Sequence, residues 1–442
     1  MSKNTLSTDA PIENAFLVAA EIKSEVPLLS LEDSLHELFL LSQTAGLNVV
    51  GEAFQRLDHI HPDTYIGSGK VEEIKILLDE TQAHLVIFDN ELSPRHQREL
   101  EKRFGEQIRV LDRTVLILDI FARHARTREG ILQVELAQNQ YRLPRLTRAW
   151  THLARQAGGA AGRTGSVGGV GLRGPGETQL EVDRREIQNR IAYLKKELEK
   201  VREHRKRHRA QRKRSRIPVI SIVGYTNAGK STLLNNISGA DIYTADMLFA
   251  TLDPTTRRVR LPGGDFVLVT DTVGFIQKLP ADLVAAFRAT LEEIAESDLL
   301  LHVVDINHPN ALMQWKSVNE TLLSIDAGHI PTITVMNKID LLPDPENARQ
   351  VTDSFENSIA ISAATGEGVN VLLDEIESRL FRDLVAIDVT LPYSEGQIIS
   401  QLHDLGEIER VEHLREGMKI KGRIPGRLLS MLQDYLAGKE EE

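Results

Sequence analysis

Eight consecutive residues near the middle of the 442-residue chain have the types and spacing of a phosphate-binding loop. They are Gly224, Tyr225, Thr226, Asn227, Ala228, Gly229, Lys230 and Ser231. The glycines allow a tight turn in which backbone N–H groups point inward at phosphate oxygens. The lysine can reach the outer phosphates as a catalytic residue, and the serine can ligate Mg²⁺. A strand predicted over residues 219–223 and a helix predicted over residues 231–237 flank the loop, so we expect a nucleoside triphosphate site here.

A D-x-x-G motif follows the strand predicted over residues 267–270, and it should serve the phosphate end of the same site. Its residues are Asp271, Thr272, Val273 and Gly274. We expect the aspartate to bind Mg²⁺ through water and the glycine N–H to sense the γ-phosphate, which makes Gly274 catalytic. A threonine in a mobile loop should be a further catalytic Mg²⁺ ligand. The segment Phe249, Ala250, Thr251, Leu252 and Asp253 offers Thr251, and Thr255 and Thr256 stay open as alternatives.

Two short patterns downstream are suited to reading a base. Asn337, Lys338, Ile339 and Asp340 follow the strand predicted over residues 332–336, and this N-K-x-D pattern resembles the guanine-reading element of small GTPases. The aspartate can accept two hydrogen bonds from guanine N1 and N2, a pairing that adenine does not offer. After the next predicted strand, Ser362, Ala363 and Ala364 resemble the loop whose N–H groups meet the guanine oxygen. The expected substrate is therefore GTP.

The residue after D-x-x-G is Phe275, where many GTPases have a glutamine that orients the attacking water. An aromatic ring cannot do this by hydrogen bonding, so we expect slow turnover until a partner assists. Asn227 resembles the asparagine that holds a potassium ion in some GTPases, where K⁺ replaces an arginine finger. The alternative is that Asn227 only shapes the turn.

Strands and helices alternate along most of the chain, which predicts an α/β protein. The central part should be a P-loop GTPase (G) domain with a doubly wound sheet. A small α/β domain with a long helical hairpin should precede it, and a small α+β domain should follow. The predicted divisions are a flexible start at 1–14, the N-terminal subdomain at 15–112, the hairpin at 113–216, the G domain at 217–384 and the C-terminal domain at 385–442.

The hairpin is unusual in composition. Its predicted tip, residues 158–176, has nine glycines in 19 residues, and residues 202–216 have nine Lys or Arg in 15. Between Gln140 and Arg216 the charge balance is +14, although the whole chain is at −11. A flexible linker and a solvated helix face are the simpler interpretations. Isolated arginines among glycines beside a basic helix favour RNA contact instead. The candidate RNA-contact residues are Arg163, Arg173, Arg205 and Arg207.

Composition sets further limits on the chain. It has no cysteine, which excludes disulfides and thiolate metal sites and fits a reducing compartment. No apolar run reaches membrane-spanning length, and the polar start does not have the pattern of a signal peptide. We therefore expect a cytoplasmic protein without a membrane span, and a monomer.

Several segments resemble the HflX family of translational GTPases, within the Obg-HflX superfamily. They are the residues 65–70, 133–138, 174–181 and 249–257, and the resemblance spans about 65–384. It implies binding to the large ribosomal subunit and to the intact ribosome, splitting of stalled ribosomes under stress, and a glycine-rich tip directed at rRNA near the peptidyl transferase centre.

Two other functions compete with this one. A ribosome-assembly or RNA-remodelling GTPase would bind the large subunit without splitting ribosomes. A metabolic P-loop enzyme, such as a nucleotide kinase, is disfavoured because the two base-reading patterns leave no evident site for a second substrate.

Overall fold

The structure is a computed structural model. It describes residues 13–24, 29–105, 107–146, 179–214, 217–239, 248–249, 254–278, 294–342, 355, 357–382, 384–415, 417–432 and 435. The chain divides into two compact units, and the division falls between Arg205 and Lys206. Within the described residues, no helix is both long and apolar enough to cross a lipid bilayer.

The first unit begins with a four-stranded sheet in the order β2-β1-β3-β4, in which all paired strands are parallel. Its elements are β1 (Asn14–Ile22), α1 (Leu31–Thr44), β2 (Asn48–Leu57), α2 (Ser68–Thr81), β3 (Leu85–Phe88), α3 (Pro94–Phe104), β4 (Arg109–Asp112) and α4 (Arg113–His124). β3 is buried throughout, as a central strand covered on both faces should be. At its carboxyl end the buried Arg113 forms ion pairs with Asp89 (2.7 Å) and Glu37.

Helix α5 (Arg128–Arg142) forms an antiparallel pair with the first part of α6 (Gln179–Arg214), and the division between the units falls within α6. Two ion pairs set the direction, because Arg128 contacts Glu197 and Glu135 contacts Arg190, at 2.7 Å and 2.6 Å. An apolar seam lies between the helices, and Leu194 at its centre is fully buried. Other residues of the seam are Leu132, Leu136, Ile191, Leu198 and Val201. On α6 these apolar residues recur every three or four positions, as in a heptad pattern, and they form its packing face.

The predicted hairpin tip, with Arg163 and Arg173, lies outside the described residues. Arg205 and Arg207 lie in the last part of α6, and only the course of the backbone is described there. In the sequence, 32 residues separate Leu146 from the start of α6 at Gln179.

The second unit contains a six-stranded sheet in the order β10-β9-β8-β5-β7-β6. Its elements are β5 (Val219–Gly224), α7 (Lys230–Ser238), β6 (Thr255–Arg260), β7 (Phe266–Asp271), β8 (Leu299–Asp305), α8 (Ala311–Ser324), β9 (Thr332–Asn337), β10 (Ser358–Ala360) and α9 (Val369–Glu377). Five strands are parallel, so their carboxyl ends lie at one edge. The predicted G-domain fold is confirmed, although β6 was not predicted and runs antiparallel to β7.

The turn between β6 and β7 is anchored to the end of α9. The N–H of Gly263 donates to Oε1 of Glu377 at 2.9 Å, and Glu377 is 2% exposed. A Cβ on Gly263 would lie 2.1 Å from the same oxygen, so a side chain there would displace the Glu377 carboxylate. Helix α9 continues through a π-helical turn, Ser378–Arg382, into the next strand.

A three-stranded antiparallel sheet in the order β11-β13-β12 ends the second unit. Its elements are β11 (Leu384–Leu391), α10 (Gly396–Leu405), β12 (Glu407–His413) and β13 (Met418–Pro425). After β13 the chain forms a 3₁₀ helix, Gly426–Met431. Leu428 in this helix and Leu432 after it pack into the core of this sheet.

Candidate GTP-binding site

The loop between β5 and α7 has two positions that accept only glycine. A Cβ on Gly224 would lie 2.2 Å from the carbonyl oxygen of Val303 on β8. Gly229 has a φ of 93°, and a Cβ there would lie 2.2 Å from Nδ2 of Asn337. The glycines therefore let the loop turn close to its neighbouring strands. Asn227 also has a positive φ, 59°, which suits an asparagine in a turn.

Lys230 is buried at the first position of α7. Its Nζ donates to the carbonyl oxygens of Gly224 (3.1 Å) and Tyr225 (2.7 Å). Burial lowers the pKa of this amine to about 8, and the nearby negative charge of Asp271 acts in the opposite direction. The loop thus holds a cationic head next to the backbone N–H groups of a helix start, which is an environment suited to a phosphate.

Two predicted Mg²⁺ ligands lie side by side. The hydroxyl of Ser231 donates to Oδ2 of Asp271 at 2.6 Å, and Asp271 is buried at the end of β7. One carboxylate and one hydroxyl are hard oxygen donors of the kind that Mg²⁺ takes together with substrate phosphates. The described residues include no cluster of three or more His, Cys, Asp or Glu, so they provide no closed protein cage for a metal. This donor set fits Mg²⁺ bound jointly with a nucleotide.

Two of the three candidate threonine ligands, Thr255 and Thr256, lie within the described residues. Thr251 lies outside the described residues, together with Ala250, Leu252 and Asp253. Phe249 is described, and it is buried with a φ of 58°. Thr255 lies opposite Asp271 in the β6–β7 register, whereas the hydroxyl of Thr256 lies 2.9 Å from that of Thr270 within the sheet.

The D-x-x-G segment lies directly against the phosphate loop. A Cβ on Gly274 would lie 2.8 Å from Cγ2 of Thr226 and 3.1 Å from Nζ of Lys230, so the segment approaches closely. Thr272 donates its hydroxyl to the carbonyl oxygen of Ile222, and Val273 is partly exposed. Phe275 is buried, which removes its ring from the solvent.

Asn337 connects the two halves of the site. Its Nδ2 donates to the carbonyl oxygen of Ala228 (2.8 Å), and its Oδ1 accepts from the N–H of Ala363 (2.9 Å). The side chain is 2% exposed. One amide therefore fixes the phosphate loop against the loop after β10, which positions both for one ligand. The sequence pattern indicated Asn337 but not this bridge.

The other base-reading residues surround this bridge. Lys338 has a φ of 69° and forms an ion pair with Asp305 at 2.7 Å. Asp340 is exposed in the short 3₁₀ turn Ile339–Leu341.

In the loop after β10, Ser362 is fully buried, and its hydroxyl accepts from the N–H of Thr365 at 3.1 Å. The neighbouring Ala363 is buried and Ala364 is exposed. An exposed carboxylate and a loop of N–H groups thus lie at the same sheet edge as the phosphate loop.

A phosphate loop and a base-reading loop at the carboxyl edge of one sheet are characteristic of P-loop GTPases, and this second unit therefore defines the class of the protein. Four family models match the chain in sequence. They describe a GTP-binding GTPase N-terminal domain (residues 32–122), a GTP-binding GTPase middle region (124–212), a 50S ribosome-binding GTPase (219–338) and an HflX C-terminal domain (348–425).

The chain belongs to the HflX family of GTPases, as its motifs predicted. It is 45% identical to the GTPase HflX of Caldanaerobacter subterraneus over 92% of this chain and 90% of that protein. It is also 45% identical to the GTPase HflX of Escherichia coli K12, over 86% of each. A Sulfolobus solfataricus GTP-binding protein crystallised with GDP is 25% identical, with coverage of 83% and 98% and a TM-score of 0.44. The predicted GTPase activity is confirmed.

Proposed function

We propose that this GTPase binds the large ribosomal subunit and splits or rescues stalled ribosomes under stress. The supporting observation is the antiparallel pair α5 and α6, whose buried seam and ion pairs give a stiff base to the glycine-rich tract between them. The basic residues that follow on α6 suit rRNA phosphates. The match of residues 219–338 to a 50S ribosome-binding GTPase supports the same partner.

Sucrose-gradient profiles separate splitting from simple binding. Intact ribosomes incubated with the protein and GTP or a nonhydrolysable analogue should shift toward free subunits, with the protein on the large one. The double variant Arg163→Glu and Arg173→Glu should lose splitting but keep its basal GTP hydrolysis, because these residues lie outside the G domain. Intact ribosomes that stay intact while free subunits bind the protein would contradict splitting and favour an assembly factor.

Within the G domain, we propose the predicted residues as the GTP site, with Ser231, Asp271 and Thr251 serving Mg²⁺. The pairing of Ser231 with Asp271 supports the metal, which would neutralise the phosphate oxygens when bound. The residues of this chain then hold the phosphates, read the base and place the Gly274 N–H. We also propose a cytoplasmic monomer.

Asn227 is proposed as a ligand of K⁺, on the strength of its turn position beside Ala228 and Gly229. Hydrolysis should then be faster in potassium than in sodium buffer, because a dehydrated Na⁺ is too small to span the same ligands. The Asn227→Ala variant should lose this difference and turn over alike in both buffers. Equal wild-type rates in the two cations would end the potassium role.

A further inference from the structure

Besides the bond between Ser231 and Asp271, three hydrogen bonds tie the phosphate loop to residues Asp271–Lys278, which comprise the D-x-x-G motif and the four residues after it and are called the D-x-x-G segment below. Two are between backbones, since the N–H of Thr226 donates to the carbonyl oxygen of Phe275 (2.8 Å) and the N–H of Phe275 donates to that of Gly224 (3.1 Å). In the third, the hydroxyl of Tyr225 accepts from the N–H of Gln277 at 2.9 Å. This last bond depends on a side chain and can be removed by substitution alone.

The tyrosine bond fixes the far end of the segment. Tyr225 and Gln277 are 4% and 9% exposed, so water does not readily replace either partner. Immediately after Gln277 the backbone turns, with a φ of 56° at Lys278. At its other end the segment is fixed by β7, which terminates at Asp271. Gly274 therefore lies between two fixed points and is held beside Lys230.

We propose that Tyr225 is a positioning residue for GTP hydrolysis, acting through the backbone of Gln277. Its hydroxyl holds the D-x-x-G segment where the Gly274 N–H meets the terminal phosphate. This inference rests on the proposed roles of Asp271 and Gly274. The Tyr225 bond also explains how the segment is held in place although the Phe275 side chain offers no hydrogen bond to the reacting groups.

The test is Tyr225→Phe, which removes one oxygen and keeps the ring. The single-turnover rate with GTP should fall about three- to tenfold, the effect of one buried hydrogen bond. The affinity for GDP should change less than about twofold, because GDP has no terminal phosphate for Gly274 to meet. Amide hydrogen exchange at Gln277 should become faster. Tyr393→Phe is the matched control, because its exposed hydroxyl donates to the carbonyl oxygen of Leu414 in the C-terminal domain, and its rate should equal wild type.

Two results would overturn the inference. One is an unchanged single-turnover rate in Tyr225→Phe, and the other is an equal loss of rate and of GDP affinity, which would indicate general damage to the loop. Asp271→Asn tests the underlying roles separately, since it should lower the rate far more than Tyr225→Phe. If Asp271→Asn hydrolyses GTP at the wild-type rate, the proposed site itself is wrong, whatever Tyr225→Phe does.

Discussion

Asp340→Asn should convert the protein from a guanine to a xanthine nucleotide binder. The carboxylate of Asp340 is expected to accept from guanine N1 and N2, whereas an asparagine presents an N–H that matches the 2-oxo group of xanthine. GTP affinity should fall on the order of 10³-fold, because a polar site strongly rejects a ligand with mismatched hydrogen bonds. Competition of GTP and XTP against a fluorescent nucleotide measures both changes.

The position of Asp340 makes this variant informative. The residue is exposed in a short 3₁₀ turn, so the substitution leaves the core intact. Asp326→Asn makes the same chemical change at an exposed turn after α8, where a φ of 61° also suits asparagine, and should leave GTP affinity unchanged. Unchanged GTP affinity in Asp340→Asn would rule out its role in base recognition.

Asn337→Ala should weaken binding of every nucleotide rather than change the preferred base. The alanine leaves the carbonyl oxygen of Ala228 and the N–H of Ala363 without their present partners. Each unsatisfied buried group costs about 1–3 kcal/mol, so the free energy of unfolding should fall by about 2–6 kcal/mol. Because the two loops lose their common anchor, affinity for GTP, GDP and XTP should fall on the order of 10²-fold.

Calorimetric titration with GDP and urea unfolding without nucleotide measure the two effects. Asn319→Ala on α8 is the control, since it removes a partly exposed amide of the same size from the same domain, and both quantities should stay near wild type. Full affinity and full stability in Asn337→Ala would show that the bridge is dispensable.

The sequence predicted the elements with strong local patterns. The strand Val219–Gly224 is an apolar run of the kind buried on both faces, and the glycine spacing after it admits few loop geometries. β6 was missed because its residues are mostly polar and only Val259 is buried among them, as expected for an edge strand. Its place in the sheet comes from pairing with β7, which no local pattern encodes.

Side-chain partners distant in sequence were also beyond prediction. Asn337 meets Ala228 across 109 positions, and Tyr225 meets Gln277 across 52. Arg113 is a stronger example, because an arginine is normally expected at the surface and here it is buried between Asp89 and Glu37. Such contacts depend on how whole elements pack, so the sequence can indicate candidate site residues but not the contacts that hold them in place.

The Gly263–Glu377 hydrogen bond links the β6–β7 hairpin to the C-terminal domain. One end of the hairpin, at Thr255 and Asp271, lies beside the phosphate loop, and its turn is bonded to the end of α9, which leads into β11. A displacement of the hairpin along its length must therefore either move the start of the C-terminal domain or break that hydrogen bond. If nucleotide binding moves the hairpin, thermodynamic reciprocity requires that a force on the C-terminal domain transmitted through this hydrogen bond changes the nucleotide affinity.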